Sequence, residues 1–435
     1  LGRRGRRGEL DVQLIDERDA GSLVAGGLDI ALPQGAYVRQ KFEAHRIDDV
    51  TFEVQRQLSR PQILEKIRPG MRVALGVGSR GIKCIYQVTK ATVEFLRERG
   101  ADVFIVPAMG SHGGATAEGQ LQVLAQYGIT PEALGVPFDA SMDIVELGIS
   151  PSGVPVYFSR AALAADGIVP IGRVKAHTSF RGRVESGLYK MLAIGFGKHA
   201  GAASIHSFGF ERFGELIPEV GEFILARVPV LCGIAIVENA YDDPAVIEAL
   251  APEEIGRREP ELLELAKAWM GRILFDEFDV LIVDEIGKNI SGDGMDPNVT
   301  GRFSLPAMSG GPRVQKIVVL DLTEETHGNA NGIGAADVTT QALFDKIDFV
   351  QTYTNAITST VLSVAKIPIV MPTARTAVAL ALKTLVGVKP EKARVVRIKN
   401  TLQLDEIWIS DPLLKEAEGR SDIELVRRAP LELPP

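Results

Sequence analysis

Five short apolar runs, at 73–77, 103–106, 167–171, 279–284 and 314–320, each end in a polar or glycine-punctuated segment. That arrangement limits the fold more than any other feature. Runs of this length, rich in Val, Ile and Leu and bounded by turn residues, read as buried strands. Between the first two, Ile85, Val88, Thr92 and Leu96 recur on one face of a helix that closes at Gly100. Strand, helix and strand in that order form a βαβ unit. The chain as a whole is therefore expected to be α/β, with two α/β domains, Rossmann-like βαβ units and an interdomain cleft. A length of 435 residues exceeds what one core serves comfortably. The boundaries expected are 9–270 and 271–435, with a tail at 401–435 that packs back on either domain. Short β-like runs are read across 11–36, and helices at Val54–Ile67, Phe210–Arg227, Asp243–Leu250 and Glu259–Ile273.

A net charge of −8 argues against wholesale nucleic-acid binding. No apolar run reaches the length of a membrane span. The opening LGRRGRRGEL is basic without an apolar core, so it does not read as a signal peptide. Two distant cysteines, Cys84 and Cys232, offer no disulfide framework and read as buried small residues. The expected setting is cytoplasmic, with a small anionic molecule as partner and neither nucleic acid nor membrane. Oligomeric state is not legible.

The stretch from Gly172 to Phe210 holds three of the six histidines, His177, His199 and His206, among Arg173, Lys175, Arg181, Arg183, Lys190 and Lys198. So much positive charge in one segment requires an anion against it, and imidazoles move protons or bind metals near neutral pH. Any one of these histidines alone reads equally well as a packed structural residue. Upstream, Gly110-Ser111-His112-Gly113-Gly114 follows a strand directly, with Thr116 placed to cap the next helix. Downstream, the loops at 285–302 and 323–332 are long, polar and rich in glycine.

Gly76 to Gly81 spells G-x-G-x-x-G after a strand, so an NAD-dependent oxidoreductase is one reading. The acidic residue that should end the second strand and hold a ribose is missing. A non-catalytic small-anion-binding protein is another reading, and a zinc hydrolase on His177, His199 and His206 a more distant one. No G-x-S-x-G elbow, H-E-x-x-H helix or paired-cysteine site occurs.

The G-S-H-G-G around His112, the K-A-H at 175–177, Ser186-Gly187-Leu188-Tyr189-Lys190 and then His206 resemble the nickel-pincer-nucleotide lactate racemase family. That family includes other 2-hydroxyacid racemases and epimerases. The similarity runs across most of the chain and is strongest from Val73 to Phe210. It implies that His112 and His177 are catalytic, and that Lys190 holds the nickel-pincer nucleotide through a thioamide. It also implies that His206 ligates nickel, with His199 as its near competitor, and that Ser79, Arg80, Ser186 and Gly187 line the cofactor. The arginine matches while its context departs, since the family usually has Asp and Thr before it and this chain has Val77, Gly78 and Ser79. In the second domain the family's Tyr-Gln and following Lys find a shifted match in Thr340-Gln341 and Lys346. Lys288 and Arg302 join these two as expected substrate ligands. The reaction implied is racemisation or 2-epimerisation of a 2-hydroxy acid, lactate-like or a sugar acid. It would run by reversible hydride transfer, with two histidines exchanging the hydroxyl proton.

Overall fold

The structure is a computed structural model that describes residues 14–79 and 81–434. Its first strand, β1 (Gln34–Gln40), follows a short helix, Glu17–Ser22, which Asp16 caps by accepting the Asp19 N–H. Residues 11–36, expected as β-like runs, thus contain that helix within their described part. The N-cap carboxylate outweighs the short apolar runs on either side.

The chain divides into two compact units, 43–270 and 1–42 with 271–435. In the first unit β2 (Arg72–Val77), β3 (Asp102–Pro107), the hairpin β4 (Ile144–Ile149) and β5 (Pro155–Ser159), β6 (Gly167–Arg173), β7 (Gly233–Glu238) and β8 (Pro244–Leu250) follow in order. β3, β2, β6 and β7 lie side by side in parallel, with β8 antiparallel at the edge. Helices cover both faces, as a parallel sheet requires.

Alternation along β2 shows how the sequence sorts those faces. Val73, Leu75 and Val77 pack with Ile85, Val88 and Leu96 of the Ile85–Glu98 helix. Ala74 faces the opposite core, which holds Phe158, Tyr189 and Phe196. Gly76 lies on the same side as Ala74, and a Cβ there would come within 2.1 Å of the Phe196 ring. The first glycine of G-x-G-x-x-G therefore sits inside the strand and makes room for an aromatic ring. In a dinucleotide fold it would form the turn against a pyrophosphate.

Two helix expectations change. Val54–Ile67 is split into Val50–Leu58 and Pro61–Leu64, because Pro61 holds Arg60 in an extended conformation (φ −60°, ψ 134°). Asp243–Leu250 is not a helix. The span is too short for a stable isolated helix; the seven residues Pro244–Leu250 instead complete the ladder of β7, and Glu248 reaches out to Arg258 at 2.6 Å.

The second unit contains β9 (Glu277–Ile286), β10 (Arg313–Leu322), β11 (Val338–Thr340), β12 (Ile369–Met371), β13 (Val395–Ile398), β14 (Glu406–Ser410) and β15 (Ile423–Pro430). Their order is β12-β11-β10-β9-β13-β14-β1-β15, parallel up to β13 and antiparallel beyond. β1 pairs with both β14 and β15, so the start of the chain contributes to the sheet of this unit and not to that of 43–270. The tail lies in this sheet too, and buried Trp408 donates its indole N–H to Ala429 O at 3.1 Å.

Candidate active site

The candidate side chains come from loops at the carboxyl ends of β2, β3 and β6, where open α/β sheets place their ligands. After β3 the chain turns through Gly110, Gly113 and Gly114, all at positive φ. At Gly113 a Cβ would lie 2.6 Å from the Gln120 backbone nitrogen, so only glycine lets the loop close onto the next helix. Thr116 caps that helix as expected, accepting the Gly119 N–H at 3.0 Å. His112 precedes the turn, and its Nδ1 is hydrogen-bonded to Ser79 Oγ from the loop after β2. Tyr127 steadies that loop by donating its hydroxyl to Ser79 O at 2.8 Å.

After β6, Lys175 and Ser186 exchange backbone hydrogen bonds at 3.1 Å in both directions, closing the loop that carries His177. The fully buried Glu185 carboxylate accepts the His177 N–H at 2.6 Å and pairs with Lys267 at 3.2 Å. The His177 ring lies 4.4 Å from Phe180, and its Nδ1 accepts the Ser179 N–H at 3.0 Å. Its other ring nitrogen, Nε2, is hydrogen-bonded to Lys190 Nζ at 2.6 Å.

Lys190 ends a single helical turn, Leu188–Lys190, that runs directly into a π-helical turn, Met191–Gly195. Such turns are rare and concentrate at functional sites. Both glycine loops pack on this turn. Gly78 approaches Met191, and Gly110 approaches Ile194 while its N–H donates to Gly195 O at 3.2 Å. The loops bearing Ser79 and His112 and the turn following Lys190 therefore share one edge of the sheet.

The next helix, Lys198–His206, ends on His206. Its ring meets Phe210 and Phe213 edge-on at 5.0 Å each, and Phe210 also lies 6.4 Å from His177. His206 Nδ1 is buried and has no hydrogen-bond partner. Burial, and then the charge of nearby Lys190, push its pKa down to about 4. At neutral pH the ring is uncharged, with a lone pair free. His199 is exposed on the same helix. Among the described residues no group of three His, Cys, Asp or Glu could hold a metal, which leaves the zinc-hydrolase reading without a ligand set.

The positive charge of 172–210 is answered largely by the protein's own carboxylates. Arg173 pairs with Glu238, Arg181 with Glu185 and Arg183 with Glu222. Ser186 is held through its backbone. Gly187 packs against Glu259, a fully buried residue of the Pro252–Trp269 helix whose Oε2 accepts the Tyr189 N–H at 3.2 Å. Arg80 lies outside the described residues. In the second unit, Arg302 pairs with Asp337 at 2.5 Å and donates to Val314 O and Gln315 O. Lys346 pairs with Asp321 at 2.9 Å, Gln341 Nε2 donates to Asp345 at 2.7 Å, and Lys288 Nζ donates to Gly292 O at 2.6 Å.

Glu185, Glu259 and the phenylalanines at 180, 210 and 213 were not singled out from the sequence. Glu259 sits in a helix whose many charges read as solvated, and nothing in its neighbours marks it as the one turned inward. Burial pushes its carboxyl up to about 8. In the unfolded chain it ionises near 4.5, so the stabilisation of the protonated fold is complete below pH 4.5 and is lost as pH rises through 8. Glu259→Gln keeps an acceptor oxygen and cannot ionise. Urea titrations should therefore show it gaining on the wild type from pH 5 to about 8 and levelling off above that. A constant difference across that range contradicts this assignment.

Residues 41–208 match the family described as the lactate racemase N-terminal domain. That span is similar to the N-terminal domain of lactate racemases. The matched span contains Ser79, His112, His177, Lys190 and His206. No curated protein matches the sequence. Among solved structures, the lactate racemase apoprotein from Thermoanaerobacterium thermosaccharolyticum is similar over 67% of this chain and 74% of that one. The identity is 14% and the TM-score 0.43. The match of residues 41–208 to a lactate racemase N-terminal domain supports a racemase-like activity on a small molecule. No helix among the described residues is long and apolar enough to cross a membrane.

Proposed function

We propose that this protein inverts C2 of a 2-hydroxy acid, as a racemase or 2-epimerase, with a nickel-pincer nucleotide anchored at Lys190. The observation that carries this reading is His206 Nδ1: a buried, uncharged, unpartnered donor atom beside an amine that already contacts an imidazole. A buried polar atom without a partner is costly and calls for an explanation, and a metal bound there would supply one. The residues fit the group on that ground. Lys190 would hold it covalently, His206 would ligate its nickel, and Ser79, Ser186 and Gly187 would line it, together with Arg80. Once bound, the group supplies a reversible hydride acceptor, which avoids removing the very weakly acidic C2 proton as such.

The chain's own residues then have proton work to do. His112 and His177 come from different loops, as inversion requires if either hand of the hydroxyl is to find a base. One imidazole takes the hydroxyl proton of the incoming hand, and the other, in its protonated form, gives a proton to the hydroxyl of the opposite hand. Ser79 fixes the His112 ring, while Glu185 fixes the main chain of His177 and the Ser179 N–H its ring.

The test is a chiral-product screen with protein made alongside the cofactor-synthesis genes, over lactate, malate, phenyllactate, hydroxyglutarate and aldonic acids deuterated at C2. At least one should invert with its deuterium retained. Inversion with complete washout into solvent would overturn the hydride reading, and net keto-acid formation only with added NAD would favour an oxidoreductase.

A further inference from the structure

Lys198 is one of the largest side chains in the protein to be wholly buried. It is also a non-glycine residue at φ +54°, a left-handed conformation that costs a β-carbon-bearing residue about 1–2 kcal/mol. Burial pushes its pKa down to about 8, with Asp139 the charge that opposes the shift. Stability alone gives no reason for this choice, since glycine would relieve the backbone and methionine would fill the space. Non-glycine residues held in such conformations cluster at functional sites.

The contacts of the ammonium show what it holds. Nζ donates to Pro107 O at 2.8 Å, at the end of β3, and to Gln120 Oε1 at 3.4 Å. Gln120 is fully buried as well, and its Nε2 donates to Gly110 O at 3.0 Å and to His112 O at 3.3 Å. An amide can face either way. Only with its oxygen toward a donor does its nitrogen point at two carbonyls, and Lys198 is the donor that fixes that choice. The chain of contacts thus runs from the first residue of the helix ending on His206, through one amide, to the main chain of His112.

We propose that Lys198 is a positioning residue for His112: its buried ammonium orients Gln120, and Gln120 clamps the backbone of the His112 loop. Ser79 sets the ring and the Lys198–Gln120 pair sets the main chain beneath it, so the imidazole is fixed from two sides. The catalytic consequence rests on His112 acting in the proposed reaction, whereas the positioning itself does not.

The experiment uses the full-length protein without cofactor, with its six histidines labelled at Cε1. Imidazole resonances and titration midpoints are compared in wild type, Lys198→Met, Gln120→Met and the double variant. His112 should shift in both single variants, and the double variant should shift no further, because both substitutions cut one chain of contacts. His177, held by Glu185 and Ser179, should not move. In cofactor-loaded enzyme the same variants should lose kcat by roughly 10- to 100-fold with KM little changed, the cost of a small displacement of a reacting group. Unchanged His112 resonances in the folded variants overturn the proposal, as do additive shifts in the double variant. If Lys198→Met does not fold, Gln120→Met carries the test alone. A His112 shift in a protein that proves inactive on every hydroxy acid upholds the positioning and removes the racemase reading.

Discussion

His112→Ala and His177→Ala should each lower the rate of C2 inversion by about 10²–10⁴-fold, the usual worth of a positioned general acid or base. Nickel content and the Lys190 adduct should remain at wild-type levels. The two imidazoles are held by separate means, His112 by Ser79 and His177 by the Glu185 carboxylate and the Ser179 N–H. Neither loss should therefore propagate to the other. Chiral chromatography of each product in both directions checks this. A variant that inverts at the wild-type rate removes that histidine from its role, and loss of the adduct alongside activity would make it a structural residue. Ser79→Ala, which frees the His112 ring without removing it, should fall between the wild type and His112→Ala.

Gly187→Ala should be among the most damaging small substitutions in the chain. The Gly187 backbone is extended (φ 163°, ψ −153°), which any residue tolerates, so the obstacle is packing alone. A Cβ there would lie 2.2 Å from Glu259 Oε1 and 2.8 Å from its carboxyl carbon. The carboxyl group is buried in an 18-residue helix and has nowhere to go. Overpacking of this kind costs about 1–3 kcal/mol, and here it also displaces the turn that carries Lys190. Shortening the obstacle should relieve it. Glu259→Ala alone leaves the Tyr189 N–H without its partner, yet combined with Gly187→Ala it should recover part of the stability that Gly187→Ala loses. Urea denaturation of the four proteins at pH 7 measures the coupling. Additive losses would show that the glycine is required for some other reason.

The strands and glycine loops of 73–113 were legible because strand, loop and helix there follow the local hydrophobic pattern, down to the Thr116 cap. The spacing of His177, Lys190 and His206 along one basic stretch likewise drew attention to residues that the fold brings into company. Pairing between distant segments left no local signal. β1 reads as an isolated extended run until β14 and β15 flank it, and 243–250 carries a helix-compatible composition until β7 offers a free edge. Buried charge was hidden for the same reason. Glu185, Glu259 and Lys198 have the composition of surface residues, and only the fold turns them inward. Gly76 shows the opposite error, where a sequence pattern known for phosphate binding arises from the need to admit Phe196.

The central claim is that Lys190 anchors a nickel-bearing group which His206 completes. Peptide-resolved intact mass and nickel analysis of protein produced with the cofactor-synthesis genes tests it most directly. The account predicts a mass addition confined to the peptide containing Lys190 and close to one nickel per chain. It also predicts that the addition is absent in Lys190→Ala, and that nickel is depleted in His206→Ala while the adduct remains. An unmodified Lys190 in protein that still inverts its substrate without nickel would contradict it.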